Sequence, residues 1–138
     1  MDINKKATTM DRKGLISIIW IFAALNYLYC DVVSLMNSEL LRQYLTGNVN
    51  GMALTQGFLL GAAILVEIPI AMVLLSRVLK YRVNRWTNII AGVIMTLVQT
   101  GSLFAGTPAM YYVFFSVLEI AATALIVWFA WNWHQTES

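Results

Sequence analysis

Four long apolar runs, separated by short polar breaks, organise the chain. They span residues 15–36, 52–79, 86–104 and 109–133. A helix needs roughly 20 apolar residues to cross a bilayer. All four runs reach that range, the third being the shortest. The pattern predicts an all-α fold, a four-helix transmembrane bundle in a single domain, with helices over about 14–36, 52–79, 86–104 and 109–133.

The breaks fit this reading. Residues 38–45 are mildly amphipathic, with Glu39 and Arg42 between leucines, and predict a short interfacial helix. Residues 46–51 are a turn by composition, and 105–108 a tight turn whose Pro108 suits the start of the fourth helix. Residues 81–85 are polar and basic and read as a loop.

Composition points the same way. Of 138 residues, 59% are hydrophobic and 12% charged, against about 25% charged in a soluble domain. Lipid is the natural solvent for such a chain. The net charge of +2 is small but unevenly placed. Lys5, Lys6, Arg12 and Lys13 precede the first run, and Arg77, Lys80, Arg82 and Arg85 lie in one short central stretch; Arg42 stands apart. Basic residues favour the cytoplasmic side, so both termini are expected inside, N-in and C-in. Tyr44, Tyr81, Trp86, Tyr111, Tyr112, Trp128, Trp131 and Trp133 lie near the ends of the runs, where an interfacial belt belongs. No basic face with interleaved aromatics suggests nucleic acid as a partner. The first run starts like a signal peptide, but bulky Tyr27, Leu28 and Tyr29 precede Cys30 instead of a small-residue cleavage site, so it is expected to be a retained helix.

The informative positions are polar ones inside the runs. Asp31, Glu67 and Glu119 are acids with no intramembrane base, and Asn26, Gln56, Gln99 and Thr123 join them. An acid at the bilayer centre is costly and marks a functional site by default. Either some acids are protonated, or a cation or water supplies what the protein does not. Helical spacing groups these residues into stripes: Tyr27, Asp31 and Ser34; Gln56, Ala63 and Glu67; Asn88, Gly92, Thr96 and Gln99; Tyr112, Ser116, Glu119 and Thr123. Asn26 lies well round from the first stripe. Four stripes turned inward predict a polar core, with Asp31, Glu67, Gln99 and Glu119 at similar depth. Pro69 cannot donate to the carbonyl of Leu65 and predicts a loosened turn beside Glu67. The single acids also fit plain interhelical hydrogen bonding. Gly57 and Gly61 offer a close-packing motif, for contact between copies in a homo-oligomer or for packing within the bundle.

No catalytic group, metal set or cofactor motif stands out. One cysteine and one distant histidine make neither a nucleophile pair nor a metal centre. Ion- or ligand-binding candidates are therefore Asp31, Glu67, Glu119, Asn26, Gln99 and Gln56. Three roles stand open: a small transporter or channel-like protein whose carboxylates hold a proton or cation; a membrane enzyme or lipid-ligand protein, with Tyr27, Tyr29, Tyr112 and Phe115 around a small lipophilic ligand; and an accessory subunit of a larger membrane complex, docking through the Gly57–Gly61 face.

Several segments carry a resemblance: Leu25-Asn26-Tyr27-Leu28-Tyr29-Cys30-Asp31, the run 58–79 around Glu67-Ile68-Pro69, the run 81–92 beginning Tyr81-Arg82-Val83-Asn84-Arg85-Trp86, and the pairs Tyr111-Tyr112 and Glu119-Ile120. Together they resemble a bacterial family of small four-helix membrane proteins classed as a domain of unknown function. The resemblance implies a bacterial plasma-membrane location. It brings no activity, substrate or site residue.

Overall fold

The computed structural model of the chain describes residues 11–49, 51–104 and 108–134. Helix α1, Arg12–Met36, starts at Asp11, whose carboxylate accepts from the Gly14 amide at 2.9 Å. That bond satisfies one of the amides a helix start leaves without a partner. Asn37 ends α1 and begins the next helix: its N–H donates to the Ser34 carbonyl, and its side chain accepts from the Glu39 and Leu40 amides. Helix α2, Ser38–Thr46, then runs to Gly47, which takes the left-handed conformation at φ 77°. Glycine enters that region without the usual steric cost.

The turn expected over 46–51 is part of a small hairpin. Strands β1, Asn48–Val49, and β2, Met52–Ala53, pair antiparallel. Met52 and Ala53 are thereby taken out of the second apolar helix. Helix α3, Gln56–Val78, instead starts where the Thr55 hydroxyl accepts from the Phe58 amide at 3.1 Å. It continues as one helix through Pro69.

Helix α4, Tyr81–Leu103, corrects the loop expected at 81–85. The connection from α3 is only Leu79 and Lys80. The polar residues are the helix's own first turn, and Tyr81, Asn84 and Arg85 each have a hydrogen-bonding use there. Asn84 donates to the Ser76 and Leu79 carbonyls at 2.7 and 3.3 Å. Tyr81 donates to the Trp133 carbonyl at 2.6 Å, and Arg85 to those of Ala130 and Trp131. Helix α5, Met110–Trp131, is the last of the described helices.

Among the described residues, four helices, α1, α3, α4 and α5, are long and apolar enough to cross a membrane. Helix α1 sits between α3 and α5, and α5 packs on α4; α3 and α4 meet much less. Ile16, Trp20 and Ala23 of α1, Met72 of α3, Met95 of α4 and Ile126 of α5 form the apolar core. Gly92 sets the closest approach. A Cβ added there would lie 2.6 Å from Val127 Cγ2 and 3.3 Å from the Thr123 carbonyl. Gly61, by contrast, has nothing within 4 Å of that position, so the Gly57–Gly61 pair does not pack within the bundle.

Candidate functional site

Two polar levels lie inside the bundle. The first, near the α3–α4 connection, is held by hydrogen bonds of Asn84, Asn88 and Ser17. Asn88 is wholly buried; its oxygen accepts from Trp20 Nε1 at 2.7 Å and from Ser76 Oγ at 3.1 Å. Its nitrogen donates to the Asn84 carbonyl and side-chain oxygen. Ser17 donates to the Val73 carbonyl at 2.8 Å. These bonds hold α1, α3 and α4 together, and no group in them is left open for a ligand.

The second level is different. The α4 stripe of Gly92, Thr96 and Gln99 faces the α5 stripe of Ser116, Glu119 and Thr123, as their spacing predicts. Gln99 Nε2 donates to Ser116 Oγ at 2.6 Å, and the Thr96 and Thr123 hydroxyls lie 2.7 Å apart. Between these two bonded pairs sits Glu119, 1% exposed, with neither carboxylate oxygen hydrogen-bonded. The Tyr27 hydroxyl, buried on α1, likewise has no partner. Leaving a buried polar group unpaired costs about 1–3 kcal/mol, more when it is charged. Glu119 and Tyr27 face one interior and mark a candidate site; Trp133 Nε1, at the other end of the bundle, is a further buried group without a partner.

A cavity opens above this level, at the α2 end of the bundle. Its volume is about 610 Å³, and Asp31, Ser34, Glu39, Ser102, Tyr111 and Tyr112 are among its walls. None of its described lining residues is basic. Partial burial lifts the Tyr44 phenol on its wall above the ordinary value, and the Asp31 charge adds to the shift. Polar contacts lead downward from the cavity. Ser102 and Tyr112 share a 2.6 Å hydrogen bond, Ser102 donates to the Gln99 carbonyl at 2.7 Å, and Gln99 reaches Ser116. Glu119 lies one turn beyond Ser116. From Tyr112 to Glu119 is about 10 Å of helix at 1.5 Å per residue.

The six sequence candidates therefore separate. Gln99 and Glu119 belong to the inner level, and Asp31 lines the cavity while remaining exposed. Asn26 is half-buried and donates to the Phe22 carbonyl of its own helix at 2.8 Å. Gln56 and Glu67 are exposed. The inward orientation expected for the Gln56–Ala63–Glu67 stripe is thus corrected: α3 packs on the bundle through Pro69, Met72 and Ser76. Glu67 lies nine residues before Ser76, about two and a half turns, and so on the opposite side of the helix. Tyr29, offered as a pocket aromatic, also points outward, 56% exposed. Sequence reasoning missed Ser102 and Tyr111 on the cavity wall, and Trp20, Ser76 and Asn84 in the bonded level. The Asn84–Asn88 spacing of four was the available signal, hidden by reading 81–85 as a loop.

A family of unknown function, DUF6326, matches residues 4–138. The chain belongs to this family. No curated protein and no solved structure matches it. The residues of this DUF6326 chain alone therefore carry any functional argument. Among the described residues, no group of three or more His, Cys, Asp or Glu side chains is placed to hold a metal ion. Glu119 and the surrounding hydroxyls suit a proton or a weakly held monovalent cation better than a transition metal.

Proposed function

We propose that this is a multi-pass membrane protein that binds a small cation at the α2 end and exchanges it against a proton at Glu119. The observation that carries the reading is the Glu119 carboxylate, 1% exposed with both oxygens unpartnered. A desolvated carboxylate without a donor calls for a proton or a cation. Asp31 on the cavity wall favours positively charged cargo, while Glu39 is already ion-paired with Arg42 at 3.9 Å. The cavity's volume is that of sites that take small organic molecules, so an amine or another organic cation fits as well as a bare ion. The basic residues at the α3–α4 end support an orientation in which the cavity faces away from the cytoplasm. With the family resemblance, a bacterial inner membrane is the proposed location.

The test is labelling of the purified protein by a hydrophobic carbodiimide, mapped by mass spectrometry across pH. The reagent attacks protonated carboxyls in apolar surroundings. Labelling of Glu119 near neutral pH, suppressed by sodium or by a small organic cation, is the expected result. No labelling of Glu119 at any pH, while exposed acids react normally, contradicts the exchange reading and returns Glu119 to structural glue.

A further inference from the structure

The hydroxyl protons of Ser34, Ser102, Tyr111 and Tyr112 are all committed inside the protein, although all four residues line the cavity at the α2 end. Tyr111 and Tyr112 are consecutive on the first turn of α5, about 100° apart around it, so their phenols reach different neighbours. Tyr111 turns to α1 and donates to Ser34 Oγ at 3.1 Å, and Ser34 donates in turn to the Cys30 carbonyl at 2.8 Å. Tyr112 turns to α4. There Ser102 gives its one proton to the Gln99 carbonyl at 2.7 Å, so Tyr112 is the donor in the 2.6 Å bond between the two hydroxyls. What these oxygens keep for a ligand is lone pairs. Asp31, also on α1, adds a carboxylate to the same wall, and an ionised carboxylate only accepts. The α2 side differs: Asn37 uses its side-chain oxygen on the Glu39 and Leu40 amides and keeps its amino group.

We propose that the cargo of this cavity is an organic ammonium ion with N–H donors, its head held by Asp31 and by the phenol oxygens of Tyr111 and Tyr112. The inference rests on the cation-binding half of the proposed function and not on exchange at Glu119. A wall of lone pairs repels a carboxylate or phosphate and offers nothing to a neutral acceptor. It suits a donor that carries positive charge, and hydrogen bonds with a charged partner are the stronger kind. Primary and secondary amines carry that charge at neutral pH, as the lysine side chain does with a pKa of about 10.4. Size separates the ammonium from a bare ion. Hard divalent cations draw their oxygens to within about 2.0–2.6 Å, and a space of about 610 Å³ is far wider than such a shell. It falls within the roughly 300–1,000 Å³ of sites for organic ligands. The two rings, fixed at their hydroxyl ends, and Leu40 and Val49 give the hydrocarbon part an apolar surface. Donor count then separates amines from one another. A quaternary ammonium has the charge but no N–H, so it satisfies Asp31 and leaves the phenol oxygens without a partner.

Calorimetric titration of the purified chain in mild detergent tests it, with butylammonium, butyltrimethylammonium, sodium and butanoate as probes. Butylammonium is expected to bind about tenfold tighter than butyltrimethylammonium, the equivalent of one charged hydrogen bond. Asp31→Asn should weaken both ammonium probes by a similar factor, because both rely on the charge. Tyr111→Phe and Tyr112→Phe should weaken butylammonium alone, because each keeps the ring and removes an acceptor. Their unchanged affinity for butyltrimethylammonium shows that the site is still folded. Equal affinity of the parent for the two ammonium probes, or tighter binding of sodium or butanoate than of butylammonium, overturns the proposal. Loss of both ammonium probes alike in the phenylalanine variants overturns it too. Carbodiimide labelling separates this inference from the exchange reading. Sodium-sensitive labelling of Glu119 with no butylammonium bound overturns the inference and leaves exchange standing. Selective butylammonium binding with Glu119 unreactive supports the inference and removes the exchange step instead.

Discussion

The indole of Trp20 donates to the amide oxygen of Asn88 across 2.7 Å, and both side chains are wholly buried. The same oxygen takes the Ser76 hydroxyl, so one side chain joins α1, α3 and α4. Asn88→Leu leaves the Trp20 and Ser76 donors stranded, at a cost of about 1–3 kcal/mol. Ser76→Ala strands nothing and is expected to cost about 0.6 kcal/mol, the average for hydrogen bonds between membrane helices. Unfolding by sodium dodecyl sulfate from mild detergent measures both. A loss for Asn88→Leu no greater than that for Ser76→Ala refutes the assignment of Asn88 as the junction.

Gly92 and Gly101 lie on the same helix and are expected to respond oppositely to alanine. At Gly92 the new methyl meets Val127 and the Thr123 carbonyl, forcing α4 away from α5. Overpacking of this kind costs about 1–3 kcal/mol. At Gly101 nothing lies within 4 Å, and alanine is the better helix former, by up to about 1 kcal/mol. Thermal unfolding of the two variants in detergent should move in opposite directions. Equal destabilisation would show that α4 is not held at the distance Gly92 permits.

The four apolar runs were legible because length and hydropathy alone define them. The stripes were legible because helical spacing determines which residues share a face. Spacing is silent on which face turns inward, and α3 shows the consequence. It carries one stripe through Glu67 and another through Pro69, Met72 and Ser76, and the polar one was expected to be the buried one. Packing against α1 chose the other. The start of α4 was missed for a related reason. Tyr81, Asn84 and Arg85 look like loop residues until the end of α3 supplies carbonyls for Asn84 and the end of α5 and Trp133 supply them for Arg85 and Tyr81, the latter some 45–52 residues away in sequence. For Glu119 the periodicity supplied the face, but its lack of any hydrogen bond is a property of its neighbours' geometry.

Arg85 closes the C-terminal end of α5 through its bonds to the Ala130 and Trp131 carbonyls, at 3.0 and 2.9 Å. These are among the acceptors a helix end leaves open, and a cation there also opposes the helix dipole. Arg85→Ala is expected to destabilise by about 1 kcal/mol. Arg85→Lys should recover less than half of that, because an ammonium lacks the planar fork that spans two carbonyls. Limited proteolysis near Trp131, together with the melting temperature, reads the effect. Full rescue by lysine would reduce the contact to charge alone.

Glu119 and Tyr27 invert the usual direction of a core mutation. In most cores, removing a buried polar side chain breaks a bond and lowers stability. Here neither group has a bond to lose. Glu119→Leu deletes an unsatisfied carboxyl and is expected to raise stability by about 1–3 kcal/mol, the penalty such a group carries. Tyr27→Phe, which keeps the ring and removes only the hydroxyl, should shift it the same way by less. A binding site is where a protein keeps such costs, because the ligand, not the fold, supplies the missing partner. In the parent protein, therefore, a bound cation should raise the melting temperature, and Glu119→Leu should abolish that increase while starting from a higher baseline. If both substitutions instead lower stability and cations have no effect on the parent, Glu119 is bonded within the fold and the site is structural.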